Sequence, residues 1–150
     1  VRAYKEDVRR RMLASIKRIA EGIATAAGVP SDRMPVVRVD ESEFTASTYN
    51  NPEFTRRVAR SFEAALGKEN VLKADPVMGG EDFGALSLED KIPLSIYWLG
   101  AVQPARVAQS LKDGVSLPSL HSSQFAPDPE PTIRTGMKAT AAAVLDLLKK

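Results

Sequence analysis

The chain has 150 residues, 43% of them apolar and 27% charged, with a formal net charge of +2 and no cysteine. That composition fits one ordinary domain, or two small ones, of a soluble globular protein. It excludes a disulfide scaffold, a thiolate metal site and a thiol nucleophile, and so small a net charge argues against a nucleic-acid partner. No apolar run approaches the ~20 residues that cross a bilayer, so no membrane partner is expected. The chain opens Val1-Arg2-Ala3-Tyr4 with neither an initiator methionine nor a signal-peptide pattern. An opening that reads as the inside of a strand is expected of a piece cut from something longer. The localisation is open at this point, with a soluble, cytoplasmic protein favoured over a periplasmic one.

Val1 to Tyr4 is a short strand candidate. From about Lys5 to Ala27, apolar residues fall at Val8, Met12, Ile16, Ile19, Ile23 and Ala27. That spacing makes one helix face, with Arg9, Arg10, Lys17, Arg18 and Glu21 turned to water. The Arg9-Arg10-Arg11 run follows Glu6 and Asp7, which favours a solvated face over a phosphate site. Gly28 and Pro30 then stop the helix. Val36-Val37-Arg38-Val39-Asp40 alternates as a half-buried strand, and Glu41 to Asn51 is a polar connection between structural units. Asn50-Asn51-Pro52-Glu53 announces a helix by an asparagine cap, a proline at the first position and an acid at the positive end of the dipole. Its buried stripe is expected at Phe54, Val58, Phe62, Ala65 and Leu66, with Gly67 closing it.

Val71-Leu72 begins a second short strand, and Leu94 to Leu99 reads as a strand buried on both faces. Ala101 to Pro118 carries little pattern. Asp128-Pro129 repeats the cap-and-proline signal for a last helix to about Leu148. Its apolar face is Ile133, Met137, Val144, Leu147 and Leu148, and Gly136, Ala139 and Ala143 allow close approach. Alternating strands and helices favour an α/β or α+β layered fold.

Two stretches carry chemistry. His121, in Leu120-His121-Ser122, is the single imidazole of the chain and lies where a proline-marked polar loop meets a helix start. It either holds a metal or is a packed histidine satisfied by a carbonyl. In Gly79-Gly80-Glu81-Asp82, two glycines let backbone amides approach a ligand, and a helix starting at Glu81 would turn free N–H groups to a substrate carboxylate. Glu81 or Asp82 would alternatively steady a metal ligand from behind, or the stretch is only a turn with acids suited to a helix dipole. One histidine and two carboxylates do not complete a catalytic zinc site, which usually takes three protein ligands.

Met78-Gly79-Gly80-Glu81-Asp82-Phe83, the strand ending at Leu99-Gly100, Leu120-His121-Ser122 and the capped last helix occur in an order that resembles the zinc-dependent amidohydrolases of the aminoacylase/carboxypeptidase family. The nearest branch holds hippurate hydrolases and N-acyl-amino-acid hydrolases. Val1-Arg2, the first helix, the Val36 strand and Thr48-Tyr49-Asn50-Asn51-Pro52 resemble the end of that family's lid and the return to its catalytic domain.

The resemblance implies residues 1–47 as the latter half of a βαββαβ-type lid and dimerisation domain. It implies 48–150 as the C-terminal part of a helix-flanked, mixed-sheet, metal-binding catalytic domain. His121 matches a metal ligand, and Gly79, Gly80, Glu81 and Asp82 match the substrate-pocket signature. The metal would be zinc, with manganese, cobalt or nickel as substitutes. No catalytic residue falls in this chain; the remaining ligands and the general base lie earlier in the family's pattern. The partners implied are an N-acyl amino acid or small peptide, the missing N-terminal half, and further copies in a homo-oligomer. Lys5-Glu6-Asp7 replaces an Asp-Pro helix start, so fraying is expected there, and Ser87 to Pro93 departs from the usual connection. The alternative is a non-catalytic association module derived from such an enzyme, its exposed faces serving to bind other chains.

Overall fold

The computed structural model describes every residue except Glu43, Glu89 and Lys150; Glu89, within the unusual Ser87–Pro93 connection, thus lies outside the described residues. The chain forms two compact units. The first comprises Val1–Asn51 and Asp75–Ile96, the second Pro52–Ala74 and Tyr97–Lys150. Just over half of the described residues are helical, in three short 3-10 helices and four α-helices: α1 (Glu6–Ala26), α2 (Pro52–Leu66), α3 (Pro104–Asp113) and α4 (Pro129–Leu147).

In the first unit, α1 ends as its sequence demands. Gly28 takes φ +69°, its N–H donates to the Thr25 carbonyl at 3.0 Å, and the Val29 N–H donates to Ala24 at 3.0 Å. This is a Schellman closure, with glycine in the left-handed position and Pro30 beyond it. The start at Glu6 carries no side-chain cap, but Glu6 binds Arg9 and Arg10 while Asp7 binds Arg11 one turn on, so acids at the positive end are held in place. Arg9 departs from the solvated role expected of it. Its side chain, 13% exposed, also meets Glu41 at 3.1 Å and lies 3.8 Å over the Phe44 ring, a cation–π contact that fastens the polar connection to the helix.

The expected burial of α1 is corrected. Met12, Ile16, Ile19 and Ile23 are exposed, while Leu13, Ala20 and Ala24 are half-buried. The strands expected at Val1–Tyr4, Val36–Asp40, Val71–Leu72 and Leu94–Leu99 do not form ladders either. Among the described residues the β-pairing is one isolated parallel bridge, Asn50 with Leu94. A strand is defined by its neighbour, and these segments have the side-chain pattern without a continuous ladder among the described residues. Leu94 is buried, but Ile96, Tyr97, Trp98 and Leu99 are exposed, contrary to burial on both faces.

In the second unit, α2 packs on α4. Val58, Phe62 and Ala139 form the core, flanked by Phe54, Leu66, Val71 and Ala143, and the Tyr97 ring meets Phe62 edge-on at 4.8 Å. The α2 stripe is thus the expected one, except that Ala65 is exposed. On α4 the small residues do the packing: Ala139 is 1% exposed, whereas Ile133 and Met137 are 61% and 69% exposed. Two helix backbones approach most closely over alanine and glycine, which leaves the larger side chains on the outer face. Arg57 ties the pair by donating to the Asp146 carboxylate at 2.8 Å and its carbonyl at 2.6 Å, holding that carboxyl below its usual range.

Candidate functional site

The first candidate group lies in the first unit. Gly79 and Gly80 are exposed, and neither adopts the left-handed conformation that requires glycine. A Cβ on Gly79 would meet only Val77 at 3.8 Å, and one on Gly80 would meet the Arg2 guanidinium at 3.6–3.9 Å. Both are ordinary contacts, so neither backbone angle nor packing demands glycine here. Arg2 was not singled out by its sequence position. Its Nη1 donates to the Met78 carbonyl, which sets a permanent cation beside the exposed turn, with further N–H donors in a planar fork.

The helix expected from Glu81 begins later, as a short 3-10 helix at Phe83–Ser87. Glu81 Oε1 accepts the Phe83 N–H at 2.9 Å, so this carboxylate closes an amide that a helix start at Glu81 would have offered to a ligand. Asp82 is exposed and supplies its carbonyl to Ala85 N–H at 3.0 Å.

Further bonds tie other segments of the first unit together. Ser47 Oγ donates to the Tyr4 carbonyl at 3.0 Å. The Asn50 amide pairs with both backbone groups of Ile96, donating to its carbonyl and accepting from its N–H at 2.8 Å each. Asn50 therefore imitates a strand neighbour, and the N–H of Asn51, directly before Pro52, donates to the Leu94 carbonyl at 2.9 Å.

His121 belongs to the second unit. The Ser122 N–H donates to Ser119 at 3.1 Å, which places His121 third in a four-residue turn at φ +68°, a position that suits glycine or asparagine. The imidazole is exposed, so the packed-histidine alternative has no burial behind it. Two hydrogen bonds close the base of the surrounding excursion: Asp128 N–H to Ala101 at 2.8 Å, and Gln103 Nε2 to Asp128 Oδ2 at 2.7 Å. The expected Asp128 cap is spent on that closure, and no side-chain bond caps α4. Within the excursion lies α3, which the weak pattern concealed; Pro104 at its start and Gly114 at φ +67° after its end were the available signals.

Among the described residues no three His, Asp or Glu side chains gather closely enough to hold a metal ion. One exposed imidazole fits one ligand position and leaves the rest of a tetrahedral set unfilled.

The chain is similar to N-acetyldiaminopimelate deacetylases. It is 30% identical to that of Streptococcus suis (strain 05ZYH33) over 111 residues, 69% of this chain and 26% of the relative. It is 32% identical to that of Lactobacillus acidophilus over 97 residues, 65% of this chain and 21% of the relative. With the Streptococcus pneumoniae (strain Taiwan19F-14) protein, identity is 29% over 150 residues, all of this chain and 33% of the relative. The chain thus spans between a fifth and a third of the length of these relatives, and the similarity supports kinship with amidohydrolases. No protein-family profile matches it, and no solved structure matches significantly.

Proposed function

We propose that the chain is the C-terminal part of a metal-dependent amidohydrolase that cleaves the amide of an N-acyl amino acid or small peptide. Residues 1–47 belong to its lid and dimerisation domain, and 48–150 to its catalytic domain. The observation that carries the reading is the Arg2 guanidinium beside a glycine pair that the fold itself does not require. An amino-acid product carries a carboxylate. A planar cation next to bare backbone is suited to receive one, since it binds the two oxygens together while the missing side chains allow approach. The relatives' name, a deacetylase of an N-acetylated amino acid, accords with such a substrate, and hippurate-type acyl groups lie within the same chemistry.

His121 supplies one metal ligand. Its left-handed backbone supports this role, because strained non-glycine residues concentrate at functional sites. Zinc, or manganese, cobalt or nickel in its place, lowers the pKa of a water and polarises the amide carbonyl when bound. The other ligands and the general base come from an N-terminal half outside these residues. The chain's own contributions are to hold the substrate carboxylate at Arg2 and the Gly79–Gly80 turn, and to present the imidazole from a pinned loop. Glu81 steadies the turn rather than taking part in chemistry.

The exposed apolar row of α1 favours a second role in association with further copies. The test of function is hydrolysis by the full-length protein of N-acetyldiaminopimelate, hippurate and N-acetylated amino acids. Release of the acyl acid is expected, abolished by a chelator and restored by zinc. No hydrolysis by metal-replete protein would leave only the association role.

A further inference from the structure

Just beyond the pocket turn, Gly84 lies close against another stretch of backbone. This residue is buried, and a Cβ built on it would stand 3.0 Å from Thr48 Oγ1, 3.2 Å from Thr48 Cα and 3.4 Å from the Ser47 carbonyl oxygen. Two of those three neighbours are backbone, so a rotamer change does not relieve the crowding. Gly84 has no left-handed φ, and its need for glycine is one of space alone. The contrast with Gly79 and Gly80, where a Cβ fits at ordinary distance, is direct. Thr48 Oγ1 is itself buried and without a hydrogen-bond partner. An uncompensated hydroxyl costs stability, so Thr48 meets Gly84 as a shape and not as a polar contact.

Gly84 lies on the segment that continues the pocket turn, and Thr48 on a segment bonded to the one that carries Arg2. Gly84 follows directly on Phe83, whose N–H closes onto Glu81. Ser47, next to Thr48, binds Tyr4 in the segment that carries Arg2. We propose that the Thr48–Gly84 contact is a positioning element for substrate: it sets the height of the Gly79–Asp82 turn relative to Arg2. The inference rests on the pocket reading above. A methyl group at 84 would push the 3-10 helix off the 47–48 backbone and move the turn away from the guanidinium. Displacement of that order weakens binding while the reacting groups are untouched.

The test compares Gly84→Ala, Thr48→Val and wild type in the full-length protein. Gly84→Ala is expected to raise KM roughly tenfold with kcat nearly kept. Thr48→Val preserves the shape and removes the stranded hydroxyl, so it is expected to keep the wild-type KM and to unfold no earlier. Hydrogen exchange supplies a readout independent of catalysis. The Phe83 and Ala85 amides of Gly84→Ala should exchange roughly tenfold faster, with α1 and α2 unchanged. Unaltered KM and unaltered exchange in Gly84→Ala would overturn the proposal. So would a large rise in KM in Thr48→Val, which would assign the effect to the hydroxyl. A wild-type protein with no hydrolase activity would instead count against the pocket reading, and the exchange data would still decide whether the contact sets the turn.

Discussion

His121 shows how a single residue carries more information in its backbone than in its side chain. Third in a turn with φ +68°, it occupies a conformation that opposes its Cβ, a penalty of roughly 1 kcal/mol. His121→Gly removes the imidazole together with the penalty, whereas His121→Ala removes the imidazole alone. The glycine variant should therefore unfold no earlier than wild type, and the alanine variant should be about 1 kcal/mol less stable than the glycine one. Thermal unfolding of the pair checks this; equal stabilities would mean the turn does not hold His121 to that angle. At this scale the sequence marked His121, Gly79, Gly80, Glu81 and Asp82 as site residues, whereas Arg2, Thr48 and Asn50 stood only in lid and helix-start patterns and Gly84 in none. The marked residues belong to contiguous patterns. Arg2 and Met78 are 76 positions apart, and only folding brings a guanidinium to that carbonyl.

Elements were legible where their ends carry local chemistry. The α1 stop at Gly28 and the prolines opening α2 and α4 act within a few residues, so expected bounds agree with Glu6–Ala26, Pro52–Leu66 and Pro129–Leu147. Which face a helix buries depends on its neighbour, and the large apolar rows of α1 and α4 lie exposed for that reason. The start of α1 offers a test in solution. Hydrogen bonding to Arg9, foremost, and then to Arg10 outweighs desolvation and lowers the Glu6 carboxyl from 4.5 to about 2. A pKa depressed by folding adds stability above the unfolded value, and that stability disappears as pH falls through the folded one. The gap in thermal midpoint between wild type and Glu6→Gln should thus be widest above pH 4.5 and close towards pH 2. The effect is small, because Glu6 is well solvated. A gap that stays constant across this range would show that the ion pair does not form.

At the scale of the molecule, surface is the dominant quantity. The chain exposes 12250 Å², whereas two close-packed independent domains of half its length each would together expose about 9,000 Å². Four buried apolar residues, Val58, Phe62, Leu94 and Ala139, serve the described chain. The strand patterns at Val36–Asp40 and Leu94–Leu99, which form no ladder among the described residues, and the bare apolar rows on two helices are what the proposed missing half and further copies would cover. This also explains why the layered α/β expectation went unmet: the sequence encodes strand-like edges, and a ladder needs both of its sides. The most direct test of the central claim is the metal content of the purified full-length protein and of its His121→Ala variant. The expected result is near-stoichiometric metal in wild type, falling roughly tenfold or more in the variant while helical content is retained. Full occupancy in His121→Ala would contradict the account, since His121 would then hold no metal.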